Sequence, residues 1–358
     1  MKFHRFAHPP WVTTAFLAVL ALTANLAGAQ TRYSAYDLSI PGNYGAYLVA
    51  TNGGQQVGNE FHSIYFIGRN RYYRTHAMLW TGYQAVDLTP NGAIESWATG
   101  ISGGTQSGWA TLATPTGIAD HACLWMGSGN AAIDLHPSGC DNSYAYGISG
   151  IQSVGSGSGE RTGDIDHAFL WNGSNANCAD LHPSGYDDSA AYATNGVHQV
   201  GYASDPVFHN DHAMLWSGSA ASAVDLHPQA KFIDSYALGV DGGQQVGYAV
   251  ATASITHALL WNGSATSYYD LNPIKGFVSS VATGISNGKQ VGYGTTTGNS
   301  THALVWSGTP LSAVDLHRFL LGGFTQSYAN GIDRYGNIVG YAVDSTGREH
   351  PILWKPLP

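Results

Sequence analysis

Seven histidines recur in one context, His-x-x-Leu/Val-Trp, at His76, His121, His167, His212, His257, His302 and His350. Imidazole is a common metal ligand and the usual acid–base group near neutral pH, so repeated copies raise metal binding first. Strand geometry argues otherwise. In an extended segment His257, Leu259 and Trp261 share one face, and one copy per repeat distributes the seven rings over separate units instead of around one ion. A residue required once per unit reads as a fixture, its imidazole hydrogen-bonded locally and its indole packed. The candidate partners are the Asp of a recurring Asp-Leu pair (Asp37, Asp87, Asp134, Asp180, Asp225, Asp270, Asp315) and the Ser of Ser-x-Ala (Ser96, Ser143, Ser235, Ser280, Ser327). Neither a metal nor a cofactor is expected.

Two irregular groups carry more chemistry. The segments after Asp-Leu, such as "LHPSGCDN" and "LHPSGYDD", place His136, His182, His227 and His317 near Asp141, Asp187, Asp188 and Asp234. Such a polar ring suits a cation or a hydroxylated ligand, while the alternative is that His-Pro-x-Gly simply makes the turn, since Asn272 and Thr89 replace His without disturbing the frame. The second group is a loop, "NEFHSIYFIGRNRYYRT". It carries Arg69, Arg71 and Arg74 beside Phe61, His62, Tyr65, Tyr72 and Tyr73. Guanidinium forks suit carboxylates or sulfates and Tyr faces suit sugar rings, which favours an acidic polysaccharide. A longer solvated hairpin is the competing reading.

The elements that must hold these residues are repeats. The seven histidines are spaced by 45, 46, 45, 45, 45 and 48 residues, and Asp-Leu also occurs seven times. Within one unit, "AVDLHP", "SYALGVDGG", "QQVGYAVA" and "HALLWNGS" are short apolar segments divided by Pro, Gly-Gly and Asn-Gly turns, which predicts four antiparallel strands. Repeats of 40–50 residues with four strands imply propeller blades, none of which buries both faces alone. The chain starts with an Asp-Leu strand (33–39) and finishes with a His-x-x-Leu-Trp strand (350–356). Pairing the two completes a seventh blade and closes the ring without an exposed edge. The expectation is an all-β, seven-bladed β-propeller of four-stranded antiparallel blades, its N-terminal strand paired with the C-terminal strands. An open solenoid is the rival.

"HAMLW", "HAFLW" and "HALLW", with "DLHP" and "SYALGVDGGQQVGYA", resemble the HAF repeat of secreted bacterial proteins, over residues 30–358. The resemblance implies an extracellular protein of propeller type and brings no catalytic residues. Blade one departs most, its "YLVATNGGQQVGNEF" lacking the Ser-x-Ala start. Residues 1–29 read as a signal peptide, with Lys2 and Arg5 ahead of an apolar run and Ala27-Gly28-Ala29 before the cut. That leaves one domain, 30–358, with no membrane anchor, secreted or periplasmic. Three cysteines make no framework, and whether Cys140 pairs with Cys178 stays open. A formal net charge of -9 excludes a mainly electrostatic grip on nucleic acid.

Two functional classes follow. One is a non-catalytic scaffold or binding module recognising an extracellular glycan or surface protein through the rim of d–a and b–c loops, strands being lettered a to d outward from the axis. Its ligand-binding candidates are Arg69, Arg71, Arg74, Tyr72, Tyr73, His136, His182, His227 and His317. The other is an enzyme, a uronate polysaccharide lyase, in which Tyr72, Tyr73 or His62 takes the proton beside a carboxylate that Arg74 neutralises. No G-x-S-x-G elbow, H-E-x-x-H or phosphate-binding glycine loop occurs in the sequence.

Overall fold

The computed structural model describes residues 32–358 apart from 68, 69, 116, 130, 131, 176, 177, 230, 253 and 254, with the side chains of 66, 67, 70, 71 and 252 also excluded. The expected signal segment and the side chains of Arg69 and Arg71 therefore lie outside the described residues. Among those residues, 28 strands form seven four-stranded antiparallel sheets. Six blades are continuous in sequence: 46–87, 93–134, 142–180, 189–225, 235–270 and 277–315.

The seventh is shared. Strand Tyr33–Asp37 pairs antiparallel with Glu349–Pro356, Tyr33 opposite Pro356 and Asp37 opposite Ile352, and so supplies the outer strand missing from 324–356. The fold is the expected closed, seven-bladed β-propeller, and the open stack is excluded.

The core lies between blades. Seven apolar clusters fill the seven seams, each containing the Trp of the blade that follows: Trp80, Trp125, Trp171, Trp216, Trp261, Trp306 and Trp354 are all fully buried. Each indole removes roughly 150–250 Å² from water, an upper estimate of about 4–6 kcal/mol per seam. One blade cannot do this alone, because the surface that covers its Trp belongs to its neighbour.

Every innermost strand carries a β-bulge at one position, so that seven residues (Val49, Thr99, Tyr146, Tyr192, Leu238, Thr283, Asn330) stand out of the ladder toward the axis. With the two residues after each, they line a central cavity of about 380 Å³. Three of them tie one blade to the next. The Thr99 and Thr283 hydroxyls donate to the carbonyls of Ala145 and Ala329, and the Asn330 amide donates to that of Leu48, at 2.7–2.8 Å. The bulge also explains the invariable Val-Gly or Ser-Gly of the second strand: a Cβ on Gly247 would lie 1.8 Å from the Tyr236 carbonyl oxygen, and Gly155 faces Tyr144 in the same way.

Candidate functional site

Each repeat histidine is bound within its blade. Its Nδ1 lies 2.7–3.0 Å from Oδ2 of the Asp-Leu aspartate, seven times over, including His350 with Asp37 across the closure. The other carboxylate oxygen accepts the backbone N–H two residues on, as His136 donates to Asp134 at 2.8 Å. The aspartates are about a third to half exposed, so each ion pair contributes about 1 kcal/mol or less.

The serine plays a different part from the one the sequence suggests. Its hydroxyl accepts the N–H of the alanine after the repeat histidine of the preceding blade, as Ser143 does from Ala122 at 3.0 Å, which staples the seam. It also meets the second histidine: His136, His182, His227 and His317 place Nδ1 2.8–2.9 Å from Ser143, Ser189, Ser235 and Ser327. These four imidazoles stack at 3.9–4.2 Å on His121, His167, His212 and His302. Nε2 of His136 meets the Cys140 carbonyl at 3.0 Å, so both ring nitrogens are engaged. The rim histidines are framework, and the turn-making alternative describes them better than the ligand ring.

Burial, followed by the neighbouring histidine's charge, pushes the pKa of all four below the ordinary 6.5, keeping them neutral. A depressed base contributes stability that is full above its unfolded pKa and is lost as pH falls through 6.5 toward the folded values. His212 runs the other way: the Asp225 hydrogen bond raises it, so its contribution is present below 6.5 and lost as pH rises through the folded value. Among the histidines four run against one, so the melting temperature should fall between pH 7.5 and 6, whereas Glu60, Glu95, Asp188 and Glu349, raised by burial, act in the opposite sense as pH falls further. A flat or rising profile between pH 7.5 and 6 in a series of thermal melts contradicts the neutral stacks.

The long loop is a hairpin in which strands Gln55–Ile67 and Asn70–Thr81 run well past the other blades' equivalents. It does not gather the proposed catalytic group. Tyr72 and Tyr73 are successive strand residues on opposite faces. Tyr72 stacks on Tyr65 at 5.5 Å, and Tyr73 packs on Phe61 at 5.0 Å. His62 lies flat on His76 at 4.0 Å, taking the place that the second histidine fills elsewhere, while Thr89 bonds Ser96 at 2.8 Å. Arg74 lowers the pKa of Glu95 on the next blade against a larger upward push from burial.

The hairpin nonetheless joins a wider surface. Phe61 contacts Tyr47, and Tyr47 contacts Tyr341, each at 6.0 Å. From there aromatics circle the channel mouth on the rim of d–a and b–c loops. Cross-strand pairs make up this belt: Tyr328–Tyr341 at 4.6 Å, Tyr236–Tyr248 at 4.9 Å and Trp97–Trp109 at 5.4 Å, with Tyr202 and Tyr293 on blades 4 and 6. Tyr192 bridges Tyr146 and Tyr202 at 5.5 and 5.8 Å. Sequence reasoning missed the belt. Its signal was present at the middle residue of Ser-x-Ala and the residue after Val-Gly, which become cross-strand partners only because the bulge shifts the register.

Carboxylates accompany the tyrosines over blades 2 to 5. Tyr144 donates to Asp120 at 2.9 Å, Tyr236 donates to Asp211, and Ser204 donates to both Asp188 and Asp211. Desolvation raises the pKa of Asp188, Glu95 and Glu349. An acidic polymer would meet like charge here, so the preference drawn from the arginine loop does not extend to the mouth.

Cys140 and Cys178 are free thiols beside one seam cluster, and burial pushes Cys178 up to about 12. Among the described residues no helix is long and apolar enough to cross a membrane.

No family model matches the sequence, and no curated protein matches it. Solved structures do. The β-propeller domain of the Trilobed protease from Pyrococcus furiosus aligns over 87% of this chain and 94% of its own, at 11% identity and a TM-score of 0.57. Oligogalacturonate lyase from Vibrio parahaemolyticus aligns over 91% and 97%, at 10% identity and 0.56. Acylaminoacyl peptidase from Pyrococcus horikoshii aligns over 87% and 52%, at 11% and 0.56. Identities this low establish a shared fold and nothing finer.

Proposed function

We propose that this seven-bladed propeller is an exported, non-catalytic binding module of HAF-repeat type that recognises an extracellular glycan through the channel mouth. The aromatic belt carries the reading, because flat ring faces at a wet rim are what sugar rings stack on. Hydroxyls accompany the faces. Burial raises the pKa of Tyr248 to about 12, so this phenol stays protonated and serves as a hydrogen-bond donor, while the Tyr236 proton is already given to Asp211. A lyase base requires the opposite shift, and Tyr72 and Tyr73 of the hairpin point to opposite faces of their strand.

Binding of the purified full chain to an immobilised polysaccharide panel tests the proposal. Saturable binding to at least one neutral polysaccharide is expected, weakened about tenfold or more when Trp97→Ala and Trp109→Ala remove one stacked pair. Absorbance growth from an unsaturated product would replace the module with the enzyme. Capture of a surface protein and no glycan would retain the mouth and change the partner class.

A further inference from the structure

Symmetry makes the seams comparable, and one is built differently. Between blades 2 and 3 the middle residue of Ser-x-Ala is Tyr144, which fills the space at the rim and donates its hydroxyl to Asp120. Between blades 4 and 5, Tyr236 does the same with Asp211. The seam between blades 5 and 6 has lost both halves of this plug at once. Val281 stands where the tyrosine would be and Thr256 where the aspartate would be. A cavity of about 330 Å³ opens there. Ala190 also shortens the seam between blades 3 and 4, but there Tyr192 reaches both neighbouring tyrosines.

The cavity is lined by the belt tyrosines Tyr248 and Tyr293, with Thr256, Ser279 and Thr295 around them and Leu238 at its floor toward the axis. Among the described residues, the hydroxyls of these two tyrosines and of Thr256, Ser279 and Thr295 make no hydrogen bond within the protein. Ser280, by contrast, is engaged with Asn272 and Ala258. Charge is also missing: Ser279 occupies the position of Glu95, Asp188 and Asp234 in other blades. Asp211 and Asp234 lie close enough to act on Tyr248 electrostatically, which disfavours an anion.

We infer that this cavity is a subsite for one neutral pyranose ring, a reading that rests on the glycan-binding proposal and gives it an anchor. Its volume falls at the lower end of the roughly 300–1,000 Å³ of small-molecule sites. The rings of Tyr248 and Tyr293, which also pack on Tyr236 at 4.9 Å and on Tyr328 at 5.0 Å, together with five uncommitted hydroxyls, match a ring that is apolar on its faces and hydroxylated around its edge. A partner's tyrosine side chain, the occupant that the plugged seams suggest, would leave most of those hydroxyls unpaired.

The test uses the full chain and the double variant Val281→Tyr with Thr256→Asp, which rebuilds the plug found in the neighbouring seam. Methyl glucoside, methyl galactoside, methyl mannoside, galacturonate and N-acetyltyrosinamide are titrated by ligand-observed NMR and calorimetry. At least one neutral methyl glycoside should bind saturably, and the double variant should bind it about tenfold more weakly or worse while melting no lower than the parent. Equal binding by the two proteins, or binding of the tyrosinamide alone, overturns the subsite. Polysaccharide binding that survives in the double variant overturns the subsite and leaves the mouth proposal standing. Methyl glycoside binding without polysaccharide binding does the reverse.

Discussion

Gly247→Ala is expected to leave the chain without a stable propeller. The new Cβ would sit 1.8 Å from the Tyr236 carbonyl oxygen and about 3 Å from the Ala237 Cα, both main-chain atoms of the bulged inner strand. No rotamer relieves a backbone contact. Either the bulge must flatten, which withdraws Leu238 from the axis and moves the strand that packs blade 6, or the second strand must leave its ladder. Ordinary overpacking costs about 1–3 kcal/mol, and a clash this close exceeds that range. Against a typical stability of about 5–15 kcal/mol, the loss is a large share. Gly243→Ala is the control, since that position meets nothing within 4 Å and has no positive φ. Circular-dichroism melts of the two should differ widely. Matching melts would sink the account of the bulge.

Deleting the chain through Ser39 is the second large effect. The deletion removes the partner of Glu349–Pro356, uncovers Ile352 and Trp354, and takes away the buried Tyr33 and Leu38 together with the Asp37 carboxylate on His350. An unpaired edge with apolar side chains pairs with whatever strand it meets, so larger soluble oligomers or precipitate should appear that the intact chain does not form. Light scattering after gel filtration, with a thermal melt, reads both results. A monomer melting within about 3 °C of the intact chain would show that closure contributes little.

Much of this fold was legible in the residues because the sevenfold repeat turned one blade into seven observations. The His-x-x-Leu-Trp and Asp-Leu markers located the third and fourth strands, and the order at the two ends foretold that the N-terminal strand pairs with the C-terminal one, though not its register. The His–Asp bond was legible too, being local to one blade. What crosses a seam was not. Ser143 reaches back to Ala122 and sideways to His136, an arrangement that depends on how far one blade is rotated against the next. The loop with Arg74 drew attention by its length, whereas the belt is made of residues that look routine in any single repeat. Val281 and Thr256 become informative only when each column of the repeat is compared around the ring.

The tryptophans divide the molecule optically. Seven described indoles are sealed in the seams with no exposed surface, whereas Trp97 and Trp109 stand stacked and half-buried at the mouth. A small collisional quencher in solution reaches the second group and not the first. Fluorescence from the nine described tryptophans therefore carries two separable colours of information, the sheltered emission reporting whether the wheel is assembled and the accessible emission reporting what has settled on its hub.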